Sequence, residues 1–313
     1  MTMTRDRLGP FRLAPWFSER PWGRMSLEPW YRETGRQGAI GEAWLTGPES
    51  RIETGRLAGM TLAKAVAQNA SALVGEEGAE FPLLVKLLFP NEKLSVQVHP
   101  DDAHAQAMGQ PRGKTECWYV LEAKPGARIA LGLDPAATPD AVREAIVAGK
   151  LEELMQWVPV SVGDMVFVDA GTVHAIGPGV VLLETQQTCD ITFRMYDYGR
   201  PRELHVEQAL QVMRTQTAAG KVAPKTMDGF TRLIEQRYFV VDRYDLRAGA
   251  QVEIPIESAG CLVGLDGVAV VEAPGSEAVE LIRGQAVVVP ANCRTVTVRG
   301  ASSFVRCWEP KAI

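Results

Sequence analysis

Histidine is scarce in this chain: there are four in 313 residues, at positions 99, 104, 174 and 205, and none in the C-terminal third. Any imidazole chemistry is therefore confined to the first two thirds. Cysteine is scarce too, with five (117, 189, 261, 293, 307), odd in number and without CxxC spacing. They form no evident disulfide framework and read as buried or free thiols in a reducing compartment, which points to the cytoplasm. No stretch approaches the ~20 apolar residues of a membrane span. Met1 to Trp22 mixes Arg, Pro and Trp without the apolar run of a signal peptide. Positive charge is not in surplus, since the net charge is −5. That argues against a nucleic-acid or anionic-membrane surface. A small anionic ligand stays possible, because it needs only a few local cations.

What is plentiful is glycine (29) and proline (20), in a chain 46% hydrophobic and 23% charged. That composition suits many short strands with tight turns, and the length allows one large or two ordinary domains. Leu94-Ser-Val-Gln-Val-His-Pro100 alternates, so that Ser95, Gln97 and His99 share one side of a strand and Leu94, Val96 and Val98 the other. An amide and an imidazole two residues apart aim their ligating atoms at one point, which a metal would explain. Phe81 to Phe89 reads as a buried strand with a single charge, Lys86. Taken alone that lysine belongs at an edge; the neighbouring Gln97/His99 strand shifts it toward a polar cavity. Gly113 to Leu121 is the next strand, with Lys114 and Glu116 on one face, and a buried carboxylate there wants a cation or a metal.

Gly163-Asp164 makes a turn, Met165 to Val168 a strand, Ala170-Gly171 a second turn, and His174 lies on the returning strand. Val180 to Glu184 and Asp190 to Asp197 follow as strands; Asp190, Thr192 and Arg194 share a face. Trp22-Gly23 and Gly41-Glu42-Ala43-Trp44 read as pieces of irregular strand in an N-terminal flap anchored by tryptophans. Helices are expected over Met60 to Val74 with Thr61 as cap, Asp101 to Met108, Thr138 to Gly149, a short one running to Trp157, and Leu204 to Met213. His104 reads as a solvated helix residue and His205 as a surface or near-cap residue. From Phe239 the chain returns to short strands, among them Cys261 to Leu265, Val268 to Glu272, Thr295 to Val298 and Ser303 to Cys307.

Gln97, His99, Glu116 and His174 together supply an amide oxygen, two imidazoles and a carboxylate. That set suits Zn2+, with Fe2+, Mn2+ or Co2+ as alternatives. The stretch Gly163-x5-Asp169-x-Gly171-x2-His174 resembles the second cupin motif, with Asp169 where the motif has proline. Gly284-x5-Pro290-x-Asn292-x2-Thr295 resembles the same motif without its histidine. The expected architecture is thus all-β: two cupin (jelly-roll) sandwich or barrel units with small helical insertions. Residues 1–235 would form the metal-binding catalytic unit and residues 236–313 a metal-free cupin-like unit.

A closer resemblance is to type I mannose-6-phosphate isomerases of the short bacterial form. It is carried by Lys86, Pro90 to Pro100, Gly113-Lys-Thr-Glu-Cys-Trp-Tyr119, Glu184-Thr-Gln-Gln and Asp190 to Tyr198, with Trp22-Gly23 and Gly41 to Trp44. It covers roughly the first two thirds of the chain. The resemblance implies one Zn2+ per chain held by Gln97, His99, Glu116 and His174, and Arg194 as the active-site arginine. It places Trp22, Glu42, Lys86, Ser95, Lys114, Glu184 and Asp190 in the pocket. The implied reaction interconverts mannose 6-phosphate and fructose 6-phosphate through a cis-enediol. Arg194, Lys114, Glu184 and Asp190 are then the catalytic candidates, and the sequence leaves the base open. Ile176 departs from the family by standing where longer members carry a pocket tyrosine, and the large helical insertion is absent. A non-catalytic cupin that binds a sugar phosphate, or an isomerase for another sugar, remains the alternative. The only partner implied is the sugar phosphate, with no nucleic acid or membrane, in a monomer or a dimer.

Overall fold

The computed structural model describes residues 8–76 and 80–311; the first seven residues of the stretch weighed above as a leader fall outside it. Antiparallel sheet dominates the regular structure, as expected, with a few short helices. A seven-stranded sheet runs Gly220–Val222, Met165–Val168, Glu116–Ala123, Val180–Gln187, Leu83–Leu88, Ile40–Trp44 and Trp16–Arg24 in spatial order. A five-stranded sheet runs Phe193–Tyr196, Val96–Val98, His174–Ile176, Arg128–Leu133 and Met155–Pro159.

Alternation sorts each strand's side chains between two layers. Trp118, Val120, Leu88 and Leu182 of the first sheet pack with Leu131, Ile129 and Ile176 of the second in one core cluster. The opposite faces go elsewhere. Cys117, Tyr119, Val85 and Leu183 pack against Val263, Val305 and Cys307 of the C-terminal sheet. Helices Pro139–Val147 and Val206–Val212 cover the outer face of the five-stranded sheet, burying Val142, Ile146, Ala209 and Val212 against Val96, Val98 and Ala130. Each such aliphatic side chain contributes roughly 1.5–3 kcal/mol by leaving water. The layers therefore run helices, five strands, seven strands, C-terminal sheet, and the interior that can hold polar groups lies between the five and the seven.

The helix signals hold where a cap writes them. Thr61 Oγ1 accepts from the Lys64 N–H ahead of Leu62–Leu73, Thr138 Oγ1 from Ala141 N–H ahead of Pro139–Val147, and Asp101 Oδ1 from His104 N–H ahead of Asp102–Ala107. The helix expected to reach Trp157 does not. A 3-10 turn ends at Leu154, and Met155–Pro159 instead pairs as an edge strand with Arg128–Leu133. Two further expectations are corrected in the C-terminal unit. The strands read separately at 261–265 and 268–272 are one, Gly260–Glu272, and those at 295–298 and 303–307 are also one, Thr295–Trp308. Gly267 (φ +69°) and Gly300 (φ +133°) bend these strands without breaking them, and the ladder between them continues through Val268↔Ala301. The nine-stranded C-terminal sheet also takes in Phe11–Leu13, Lys225–Thr226 and Thr231–Glu235. The start of the N-terminal flap is thus a strand of that sheet, paired with Ala286–Val289.

Candidate metal centre and its cavity

His174 and Gln97 are cross-strand partners in the five-stranded sheet, and Gln186 pairs with Glu116 in the seven-stranded one. The two sheets face each other, so the polar sides of these strands meet in the interior. His99, Glu116 and His174 are 2%, 0% and 1% exposed, and their ligating atoms all lie within 4.8 Å of one another. His174 Nε2 is 3.4 Å from Glu116 Oε1, and His99 Nε2 is 3.7 Å from Glu116 Oε2.

The other ring nitrogens fix the tautomers. His99 Nδ1 donates to Ile191 O and His174 Nδ1 to Thr172 O, both at 2.9 Å. Each Nε2 then presents a lone pair inward, the form that ligates a metal. Burial lowers both imidazoles' pKa values, His174 to about 4, so that neither ring carries a proton's charge at neutral pH. Burial, with Glu184 beside it, pushes the Glu116 carboxyl up to about 8, against the pull of Lys114 and Lys86. His99 Nε2 and both Glu116 oxygens are buried without a hydrogen-bond partner. Buried polar atoms left so cost about 1–3 kcal/mol each, and a divalent cation satisfies all three at once. Gln97 adjoins the group: its Nε2 is 3.3 Å from His174 Nε2 and its Oε1 accepts from Ser95 Oγ at 3.2 Å.

In front of this group opens a cavity of about 430 Å3 lined by Trp22, Glu42, Lys86, Ser95, Gln97, Lys114, Glu184, Asp190 and Arg194, among others. Every candidate residue named from the sequence is therefore in this cavity or in the buried group behind it. Lys86 faces the cavity and not an edge. It is 2% exposed, 3.4 Å from Glu184 Oε2 and 3.3 Å from Asp190 Oδ1, and its Nζ sits 4.6 Å from the Trp44 ring centroid. Burial alone would lower the Lys86 pKa, but Glu184, Asp190, Glu42 and Glu116 raise it, so it is a fixed cation. Glu184 Oε1 also accepts from Trp118 Nε1 at 3.2 Å. Lys114 is buried with Nζ 3.8 Å from Glu116 Oε2. Arg194 donates through Nη1 to Glu203 O, while its Nε is buried without a partner. Burial and the neighbouring Arg202 guanidinium lower its pKa.

Arg20 and Arg202 also line this cavity and are not singled out by the sequence, as does Thr192, on the face it shares with Asp190 and Arg194. Arg20 makes a two-pronged contact with Glu42, at 3.2 and 3.0 Å, and Glu42 Oε2 accepts from Trp44 Nε1 at 2.7 Å. Period-2 spacing from Trp22 would have found Arg20; Arg202 lies in a loop with no such signal. His104 lies half-exposed in Asp102–Ala107, and His205 stands at the N-cap position of Val206–Val212, as expected, with its Nδ1 accepting from the Arg194 backbone N–H at 3.3 Å. A larger cavity, about 590 Å3, lies between the N-terminal segment and the C-terminal sheet. None of the triad lines it, so size does not locate the chemistry here.

A buried two-histidine, one-carboxylate group between facing antiparallel sheets, open to a charged cavity on one side, defines a cupin with a candidate metal site and an adjoining pocket. Comparison with known proteins narrows this class. Residues 11–132 match the model of the phosphomannose isomerase type I catalytic domain. The mannose-6-phosphate isomerase of Streptococcus mutans is 34% identical over 261 residues, covering 78% of this chain and 81% of that protein. Mannose-6-phosphate isomerase ManA of Bacillus subtilis is 35% identical over 259 residues, covering 78% and 82%. The crystal structure of the mannose 6-phosphate isomerase from Bacillus subtilis superposes with a TM-score of 0.86 at 29% identity, covering 96% of this chain and all of that one. The chain belongs to the type I phosphomannose isomerase family.

Proposed function

We propose that the protein is a zinc-dependent aldose–ketose isomerase that interconverts mannose 6-phosphate and fructose 6-phosphate. The observation that carries this reading is the set of buried, partnerless ligand atoms on His99 and Glu116, gathered with His174 Nε2 beside a cavity rich in cations. Zinc would be held by His99, Glu116 and His174. Gln97 is the fourth ligand, since a half-turn of its amide exchanges Nε2 for Oε1 at the same place. When bound, the ion supplies Lewis acidity that lowers the energy of the oxyanion developing on the sugar.

The chain's own groups account for the rest. The reaction moves a proton between C2 and C1 of the open-chain sugar through a cis-enediol. Arg194, with a free buried Nε, offers planar donors to an oxyanion or to the phosphate. Lys86 and Lys114 hold positive charge in a protein whose net charge is negative. Glu184 and Asp190, each tied to Lys86, are the carboxylates placed for proton transfer or for orienting the cations. Trp22, Glu42 and Ser95, which line the same cavity, would contact the sugar. In this reading residues 1–235 carry the chemistry and 236–313 form a metal-free unit, although strands on either side of that division share one sheet. The five buried free cysteines fit a reducing compartment such as the cytoplasm.

The test is a coupled isomerisation assay with mannose 6-phosphate on protein as purified, after chelation, and after zinc is returned. Loss on chelation and recovery with zinc supports the reading. A folded, zinc-loaded protein without turnover refutes it, and a panel of other sugar phosphates would then be tried.

A further inference from the structure

Lys114 reaches the site from a segment just ahead of the sheet, because the strand ladder begins at Glu116, which already pairs with Gln186 and Val168. Three consecutive backbone N–H groups ahead of it are held by other means. Gly113 N–H donates to Asp102 Oδ1 at 2.8 Å, Lys114 N–H to Pro100 O at 2.9 Å, and Thr115 N–H to Gln187 Oε1 at 2.9 Å. Gln187 is itself 2% exposed, and its Nε2 donates to the same Asp102 Oδ1 at 2.8 Å. Asp102 thus brackets Lys114, directly on one side and through Gln187 on the other. Its second oxygen, Oδ2, accepts from Tyr238 Oη at 2.8 Å, 136 residues away in sequence.

We propose that Asp102 is a positioning residue that sets Lys114 and Glu116 for metal binding and turnover, and that Tyr238 couples the C-terminal unit to them. The proposal rests on the metal and isomerase reading above. Gly113 N–H and Gln187 Nε2 both donate to Oδ1 and the Tyr238 hydroxyl donates to Oδ2, so the carboxylate engages all three at once. These hydrogen bonds outweigh the cost of burial and lower the Asp102 pKa, which keeps it ionised. Gly113 completes the device: a Cβ there would stand 2.6 Å from Asp102 N, so glycine alone permits the close approach of the two segments. A small rotation of residues 113–115 would therefore swing Lys114 and pull on the backbone where the Glu116 strand begins. Supports of this kind matter to a metal site nearly as much as its ligands.

The experiment compares Asp102→Asn and Tyr238→Phe with Asp101→Asn. The Asp101 side chain caps the same helix through His104 N–H and pairs with Arg214, and its carboxylate makes no hydrogen bond to residues 113–115. Zinc affinity is read by competition with a chromophoric chelator, and kcat and KM with mannose 6-phosphate. Asp102→Asn is expected to weaken zinc binding and lower kcat by about tenfold or more each, with KM within about threefold of wild type. Tyr238→Phe moves both in the same direction by about threefold, and Asp101→Asn, which keeps the cap and loses only the Arg214 ion pair, leaves both unchanged. Zinc affinity and kcat of Asp102→Asn within about twofold of wild type overturn the proposal, as does an equal loss in Asp101→Asn. If Asp102→Asn does not fold, an unchanged Tyr238→Phe overturns it. A wild-type protein that binds zinc without turnover refutes the isomerase reading alone, and the zinc affinities still decide the role of Asp102.

Discussion

Replacing Lys86 by Met keeps the stem of the side chain and removes its charge. The ammonium is the buried counter-ion of Glu184, which is 5% exposed and retains only the Trp118 Nε1 bond on its other oxygen. Breaking a buried pair by deleting one partner costs about 3–5 kcal/mol, because the remaining charge is left uncompensated. The Asp190 contact adds little, since that carboxylate's side chain is half exposed. A loss of about 3 kcal/mol in urea unfolding is therefore expected for Lys86→Met. In the double variant Lys86→Met/Glu184→Gln the buried charge is gone as well, so about 2 kcal/mol should return relative to the sum of the single changes. The raised Lys86 pKa means its contribution is present below the unfolded-state value near 10.4 and fades only above it, so the difference should not vary between pH 6 and 8. A single-variant cost under about 1 kcal/mol, or strict additivity in the double variant, would refute the view of Lys86 as the charge that makes Glu184 tolerable.

Other outcomes follow from the same geometry. Arg194→Ala should keep its zinc and lose about 10²–10³ in kcat, as for removal of an oxyanion donor; metal analysis beside steady-state kinetics checks this, and unchanged turnover removes Arg194 from the chemistry. Gly113→Ala forces a methyl group onto the Asp101–Asp102 backbone and should cost about 1–3 kcal/mol in chemical unfolding. Asp102 has a lowered pKa, so its stabilisation is present above the unfolded value near 3.9 and is lost as pH falls through the folded one. Wild type and Asp102→Asn should therefore differ in thermal stability at pH 7 and converge in acid; a gap that stays constant down to pH 2 contradicts this.

Strand alternation made much of the site legible. Gln97 and His99 fall on one face because side chains repeat every two residues, and Lys114 and Glu116 do so for the same reason. His174 was found through two glycine turns, and those turns exist: Gly163 has φ +93° and Gly171 has φ +89°. Lys86 was ambiguous in its own strand, because an apolar run does not say which neighbour faces its one charge. What escaped were contacts between distant segments. No local pattern links Tyr238 to Asp102, or Phe11–Leu13 to the strand at Ala286–Val289. Gly267 and Gly300 looked like the ends of strands, because glycine marks bends and turns alike. The sequence reads as a second short helix running to Trp157, whereas pairing of Met155–Pro159 with Arg128–Leu133 decides the state of that stretch.

The most direct test of the central claim is metal content and turnover measured on the same samples of wild type, Glu116→Ala and His174→Ala. Stoichiometric zinc and isomerase activity in the wild type, both absent from folded variants, is the predicted result. A variant that turns over mannose 6-phosphate at the wild-type rate without bound metal would contradict the assignment of His99, Glu116 and His174 as the metal centre.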